Sequence, residues 1–163
     1  MSSKITIIIP VYNAEQTIEA LVKKLVFEIS KNNALEVILV NDCSSDQSEE
    51  KCIDLFKTFP DTVITLNLAK NVGEHNAVMA GLNSMSGDYA LIMDDDFQNP
   101  VSEAMKLIAY AQNKKYDVIY SSYDNKQHSF FRNLGSSFNN SVASVMLKKP
   151  KHLYLSSFKI LTK

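Results

Sequence analysis

Short runs of β-branched residues recur along this chain, each followed by a polar loop and then by a stretch of helical period, and this alternation limits the fold more than any other feature. Ile5 to Val11 shows no strict apolar–polar alternation, so it reads as a strand covered on both faces, as in a parallel sheet. Glu36 to Asn41, Val63 to Leu68, Tyr89 to Met93 and Asp117 to Tyr120 continue the series, with His152 to Leu161 as a last strand. Between them Ile18, Leu21, Val22, Leu25, Val26 and Ile29 mark the inner face of one helix, and Ile53, Phe56 and Phe59 that of a second. Ala77, Val78, Gly81, Leu82 and Met85 mark a third, and Val101, Ala104, Met105, Ile108 and Ala111 a fourth. A further helical period carries Phe131, Leu134, Phe138, Val142 and Val145. Asn13 with Gln16 reads as a capping box, and Asn99 as an N-cap before Pro100 at the first helical position. The expected fold is α/β: a three-layer α/β/α arrangement on a mostly parallel sheet with right-handed crossovers, one domain over residues 1–163.

In such a fold ligands sit beyond the carboxyl ends of the strands. Those ends carry Pro10 to Asn13, Asn41 to Ser45, Asn71 to Gly73, and the acidic stretch Asp94-Asp95-Asp96-Phe97-Gln98. Three adjacent carboxylates repel one another unless water or a cation compensates them. With alternating orientation, Asp94, Asp96 and Gln98 present oxygens to one side, which suits the hard cations Mg²⁺ or Mn²⁺ when they also hold substrate phosphates.

Several other chemistries are excluded. No G-x-G-x-x-G and no G-x-x-x-x-G-K-[ST] follows the first strand, so neither a dinucleotide site nor a P-loop is supported. As an EF-hand the acidic loop fails, with Asn99 in place of the turn glycine and Met105 in place of the bidentate glutamate. A formal net charge of −1 gives no reason to expect nucleic acid as a partner. Cys43 and Cys52 lack the spacing of a zinc site, and a reduced, cytoplasmic setting is the expectation.

The blocks Ile9-Pro10-Val11-Tyr12-Asn13, Val40-Asn41-Asp42-Cys43-Ser44-Ser45-Asp46, Asn71-Val72-Gly73-Glu74-His75-Asn76-Ala77 and Gly87-Asp88-Tyr89 through Asp96-Phe97-Gln98-Asn99-Pro100 resemble, in order, those of family 2 glycosyltransferases. The D-x-D-x-Q-x-P form is most similar to the polyprenyl-phosphate branch, which includes dolichyl-phosphate mannose synthase and bacterial undecaprenyl-phosphate glycosyltransferases. The resemblance implies the nucleotide-diphospho-sugar transferase (GT-A) fold, incomplete at the C-terminus, and an inverting, metal-dependent transfer. The donor is a UDP- or GDP-sugar, UDP being favoured by the bacterial lipid-linked enzymes, and the acceptor a polyprenyl phosphate in cell-envelope glycan synthesis. It places Pro10, Tyr12, Asn13, Asp42, Asn71 and Gly73 along the nucleotide, with Asp95 as a secondary candidate. Asp94, Asp96 and Gln98 take the metal positions, and Asp94, Asp96 and Arg132 the catalytic ones. Arg132, the only arginine, stands where this branch holds the acceptor phosphate, with Lys126 as a second candidate.

Plainer readings stand beside these. Asp42, Asp46 and Asn13 suit helix capping, Gly73 suits a positive φ, and His75 and Arg132 suit solvated surface positions. A chain lacking most of the acceptor side also fits a domain that binds nucleotide without transferring sugar. Incomplete cover of its sheet predicts self-association. Full-length relatives of this kind work at the cytoplasmic face of the membrane, while no membrane segment is read in this chain. A nucleotidyltransferase on a related fold is excluded, because Pro10 to Glu15 supplies no glycine- and arginine-rich loop.

Overall fold

The computed structural model describes residues 3–114, 116–121 and 156–163. The chain divides into two compact units, Met1–Ile119 with Ser157–Lys163 and Tyr120–Ser156; the core and the cleft lie in the first. The expected helix from Phe130 to Met146, with Arg132, Lys126, His128 and His152, falls outside the described residues.

The elements run β1 (Lys4–Val11), α1 (Ile18–Ile29), β2 (Ala34–Asn41), α2 (Ser48–Thr58), β3 (Val63–Asn67), α3 (Glu74–Ser84), β4 (Tyr89–Ile92), α4 (Val101–Asn113), β5 (Val118–Tyr120) and β6 (Lys159–Thr162). They build a six-stranded sheet in the order β3-β2-β1-β4-β6-β5. The first four strands are parallel, while β6 runs antiparallel to β4 with Leu91 opposite Ile160, so the sheet is mixed.

The unbroken apolar runs have their cause in this arrangement. Ile5, Ile7 and Ile9 of β1 enter a core shared with Leu21 and Leu25 of α1, Leu55 of α2 and Ile108 of α4. Ile8 points the other way, into a second core with Ile38, Val40, and Ala77 and Val78 of α3. Successive residues thus bury on opposite faces, and both faces are dry. Phe158 and Ile160 join the first core, so the C-terminal strand is part of it.

Helix phases differ from expectation in two places. In α2 the buried residues are Ser48, Cys52 and Leu55, while Phe56 is exposed. Met105 of α4 also lies at the surface, at 36% exposure. The expected caps differ as well. Asn13 has φ +54° and makes no helix cap; α1 begins after Thr17, whose side chain makes no capping bond. Pro100 is extended, with ψ 145°, so α4 starts one residue later, at Val101.

A buried carboxylate fastens the bottom of the sheet. Glu36 on β2 accepts hydrogen bonds from Thr6 Oγ1 (2.7 Å), Ser86 N (2.9 Å), the Ser86 hydroxyl and Lys4 Nζ (3.0 Å). Burial alone would push its pKa up, but the bonds from Ser86, Thr6 and Lys4 outweigh it and hold the group at about 2 against an ordinary 4.5. The folded-state value being depressed, this stabilisation is full above pH 4.5 and is lost as pH falls toward 2. Glu36→Gln is expected to lower stability at pH 7 by about 2 kcal/mol and to flatten acid unfolding between those values, as urea titrations across pH would show.

Candidate functional site

The carboxyl ends of β1, β2 and β4 and the loop entering α3 surround one cleft of about 400 Å³. Pro10, Val11 and Tyr12 come from the end of β1, Asp42 from just past β2, Asn71, Gly73 and Glu74 from the α3 entry, and Asp94, Asp95 and Asp96 from the loop after β4. Most of the expected site residues are thereby brought together by strand order alone. Asn13 and Gln98 are not among the lining residues. Glu74 lines the cleft although the Asn71–Ala77 block that contains it gives it no role; its position directly after Gly73, at a helix start, is the available signal.

Asp42 is nearly fully buried, and each of its oxygens accepts one backbone bond, from Val72 N and Gly73 N, both at 2.8 Å. It therefore builds the α3 entry rather than capping α2. Gly73 has φ +86° with open space where a Cβ would stand, so the glycine is required by conformation. Asn71 Oδ1 also accepts from Gly73 N, at 3.2 Å.

The loops after β1 and β2 are joined by reciprocal bonds that sequence reasoning did not find. Asn13 N, Ala14 N and Glu15 N donate to Ser44 Oγ, Ser48 Oγ and Asp46 Oδ2. In return Asn13 Oδ1 accepts from Ser45 N, and Glu15 Oε2 from Gln47 N. Asn13 thus shapes the wall behind the cleft. The partners lie some thirty residues apart, and only the β1–β2 pairing brings them together.

The three aspartates are held differently. Asp94 Oδ2 accepts from Ser157 Oγ at 2.8 Å, a link from the C-terminal segment that no local pattern announced. Asp95 Oδ2 accepts from Tyr12 N at 3.2 Å, and Asp96 Oδ1 from Gln98 N at 3.0 Å. Burial raises the pKa of Asp94, and the Asp96 charge adds to it, against the Ser157 hydroxyl and the Lys159 ammonium. Asp95 is raised chiefly by burial as well, and by both neighbouring charges, with the Tyr12 N–H opposing. Phe97, at φ +61°, carries the chain round the loop in a conformation unusual for an aromatic residue.

Five carboxylates line the cleft, and none of its described lining residues is a lysine or arginine. Among the described residues no three His, Cys, Asp or Glu side chains form a closed metal set. Hard oxygen donors crowded beside one another, with Asp96 exposed, fit an open site in which a divalent cation takes one or two carboxylates and leaves its remaining positions to phosphate oxygens.

The family model described as Glycosyl transferase family 2 matches residues 6–161. The chain is 35% identical over 141 residues to undecaprenyl-phosphate 4-deoxy-4-formamido-L-arabinose transferase of Proteus mirabilis, covering 86% of this chain and 43% of that protein. It is 38% identical over 135 residues to the Yersinia pestis protein of the same name, covering 82% and 41%. The chain therefore spans less than half the length of these curated relatives. In structure it is similar to Mycobacterium tuberculosis glucosyl-3-phosphoglycerate synthase in complex with Mn²⁺, UDP and glucosyl-3-phosphoglycerate, with TM-score 0.74, 16% identity and 98% of this chain and 57% of that one covered. A Pyrobaculum calidifontis mannosyltransferase in complex with GDP-Man and Mn²⁺ gives TM-score 0.64 and 16% identity, covering 99% and 45%. These likenesses establish the GT-A fold. Among the described residues no helix is long and apolar enough to cross a membrane.

Proposed function

The chain belongs to glycosyl transferase family 2, and from that premise we propose that it forms the nucleotide-sugar-binding part of an inverting glycosyltransferase catalytic domain that carries a sugar from a UDP- or GDP-sugar to a polyprenyl phosphate in cell-envelope glycan synthesis. The observation that carries the donor half of this reading is the cleft itself, with five carboxylates and no described basic side chain among its lining residues. A nucleoside diphosphate entering alone would be repelled, and one entering with a divalent cation would not. UDP is the nucleotide we favour, as the resemblance of the D-x-D-x-Q-x-P block to the bacterial lipid-linked enzymes implies.

The exposed Tyr12 offers its ring to a nucleobase in the cleft, which the Asn71–Gly73 turn held by Asp42 also lines. Asp94 and Asp96, on the acidic loop that also lines the cleft, are the residues to hold Mg²⁺ or Mn²⁺ against the diphosphate. When bound, the cation stabilises negative charge on the departing nucleoside diphosphate. An oxygen of the acceptor phosphate attacks the anomeric carbon as the sugar–diphosphate bond breaks on the opposite face, so the new bond is a sugar–phosphate ester. The attacking oxygen is already anionic at neutral pH, so no proton has to be removed. That explains how a site whose acids are committed to the cation and the loops can still support transfer. Arg132 is our candidate for gripping the acceptor phosphate.

Calorimetry of the chain with UDP is expected to give saturable binding with Mn²⁺ present and none after chelation. Equal binding in chelator would sink the metal-bridged reading, and no binding of UDP or GDP under any condition would sink the donor site. Incubation with a radiolabelled UDP-sugar and undecaprenyl phosphate then separates a transferring domain from one that only binds nucleotide.

A further inference from the structure

We infer that Asp95 is a positioning residue: its carboxylate stands in for a missing strand rung and ties the acidic loop to the end of β1, without itself holding the donor or a cation. The inference rests on the nucleotide-sugar reading of the cleft. It starts from a mismatch in strand length. β1 runs to Val11, whereas its pairing with β4 ends at Ile8 opposite Ile92, and the backbone bond from Met93 N to Ile8 O (3.2 Å) is the last on that side. In a parallel ladder successive residues bond alternately to the two neighbouring strands. Val11 O accepts from Asp42 N (2.9 Å) on the β2 side, so Tyr12 N faces the side on which β4 has already ended. Pro10, the intervening residue on that side, has no N–H to leave unpaired, which is why a proline is tolerated in a central strand here.

The Tyr12 N–H does have an acceptor, and it is the Asp95 carboxylate at 3.2 Å. Its neighbours are occupied elsewhere, Asp94 with Ser157 Oγ and Asp96 with the Gln98 N–H of its own loop. Of the three aspartates only Asp95 reaches the segment that carries Tyr12. The bond fixes the acidic loop against the segment that carries Tyr12, two parts of the lining of the same cleft. A clamp of this kind needs an acceptor oxygen and no charge, whereas a carboxylate that holds a divalent cation loses much of its attraction when the charge is removed.

Asp95→Ala and Asp95→Asn separate the two roles. With saturating Mn²⁺, UDP affinity is expected to fall about tenfold in the alanine variant and to return to within about twofold of wild type in the asparagine variant, whose amide oxygen still accepts. Amide exchange at Tyr12 should be slow in wild type and Asp95→Asn and fast in Asp95→Ala. An asparagine variant as impaired as alanine would overturn the inference, because charge would then be what matters; so would an alanine variant with wild-type affinity and a protected Tyr12 amide. The asparagine variant decides the question on its own if alanine unfolds the chain. Failure of the wild-type chain to bind UDP with Mn²⁺ would instead count against the nucleotide-sugar reading, and the Tyr12 amide would still report on the clamp.

Discussion

Replacing Asp96 by alanine is expected to weaken Mn²⁺-dependent UDP binding at least about a hundredfold while leaving the thermal midpoint equal to or slightly above that of wild type. Loss of an outer-shell partner alone typically costs 10- to 100-fold, and removing a direct carboxylate from a site that has two is the larger change. Asp96 is the most exposed of the three aspartates, and one oxygen is used by Gln98 N two residues on, so its other oxygen is open to the cleft. Its removal breaks no bond between elements and relieves repulsion on Asp94 and Asp95, both of which it pushes toward protonation. Stability and binding should therefore part company in this variant. Calorimetry with Mn²⁺ and UDP measures the one and a melting curve the other; wild-type affinity that still disappears with chelator would show that Asp96 is not a ligand. Asp96→Asn should behave like alanine, the reverse of the expectation at Asp95.

The strand ends that form this cleft were legible because parallel strands buried on both faces leave unbroken β-branched runs, and the polar residues after each run can only gather at one edge. Pro10, Tyr12, Asp42, Asn71, Gly73 and Asp94 to Asp96 lie together for that reason. What stayed hidden were contacts that exist only after strands pair. The exchange between Asn13 to Glu15 and Ser44 to Ser48 has no local pattern, and reading Asn13 as a cap for α1 was the natural local alternative. The two bonds by which the Asp42 oxygens hold the backbone of Val72 and Gly73 are of the same kind, since some thirty residues separate the partners and no local pattern marks them. Ser157 is remote in sequence from Asp94, and its role depends on β6 lying antiparallel beside β4. The phase of α2 is a different kind of miss. Ser48, Cys52, Leu55 and Phe59 follow helical spacing as well as Ile53, Phe56 and Phe59 do, so periodicity alone does not separate the two phases.

Gly87→Ala is expected to destabilise the chain by about 3 kcal/mol or more, a large share of the 5–15 kcal/mol that typically holds a domain together. A Cβ at this position would stand 2.6 Å from Thr6 Oγ1, 2.8 Å from Lys4 O and 2.9 Å from Thr6 N. Two of those atoms are backbone of β1, which lies between β2 and β4 and cannot retreat from one without straining the other. The contact also sits inside a bonded cluster, since Gly87 N donates to Thr6 Oγ1, whose own hydroxyl donates to Glu36, while Lys4 N and Asp88 N exchange bonds with Asp88 and Lys4. The strand that must shift is β4, the one that delivers Asp94 to Asp96. Gly87 is nevertheless absent from the cleft lining, so molecules that remain folded should bind UDP with nearly native affinity, and apparent affinity should fall only by the folded fraction. Denaturant titration measures the loss directly; a variant within about 1 kcal/mol of wild type would mean that β1 and β4 can separate more easily than the packing implies. Ligand gives an independent check, because UDP with Mn²⁺ at a hundred times its dissociation constant stabilises by about 2.7 kcal/mol and should restore most of what the methyl group removes.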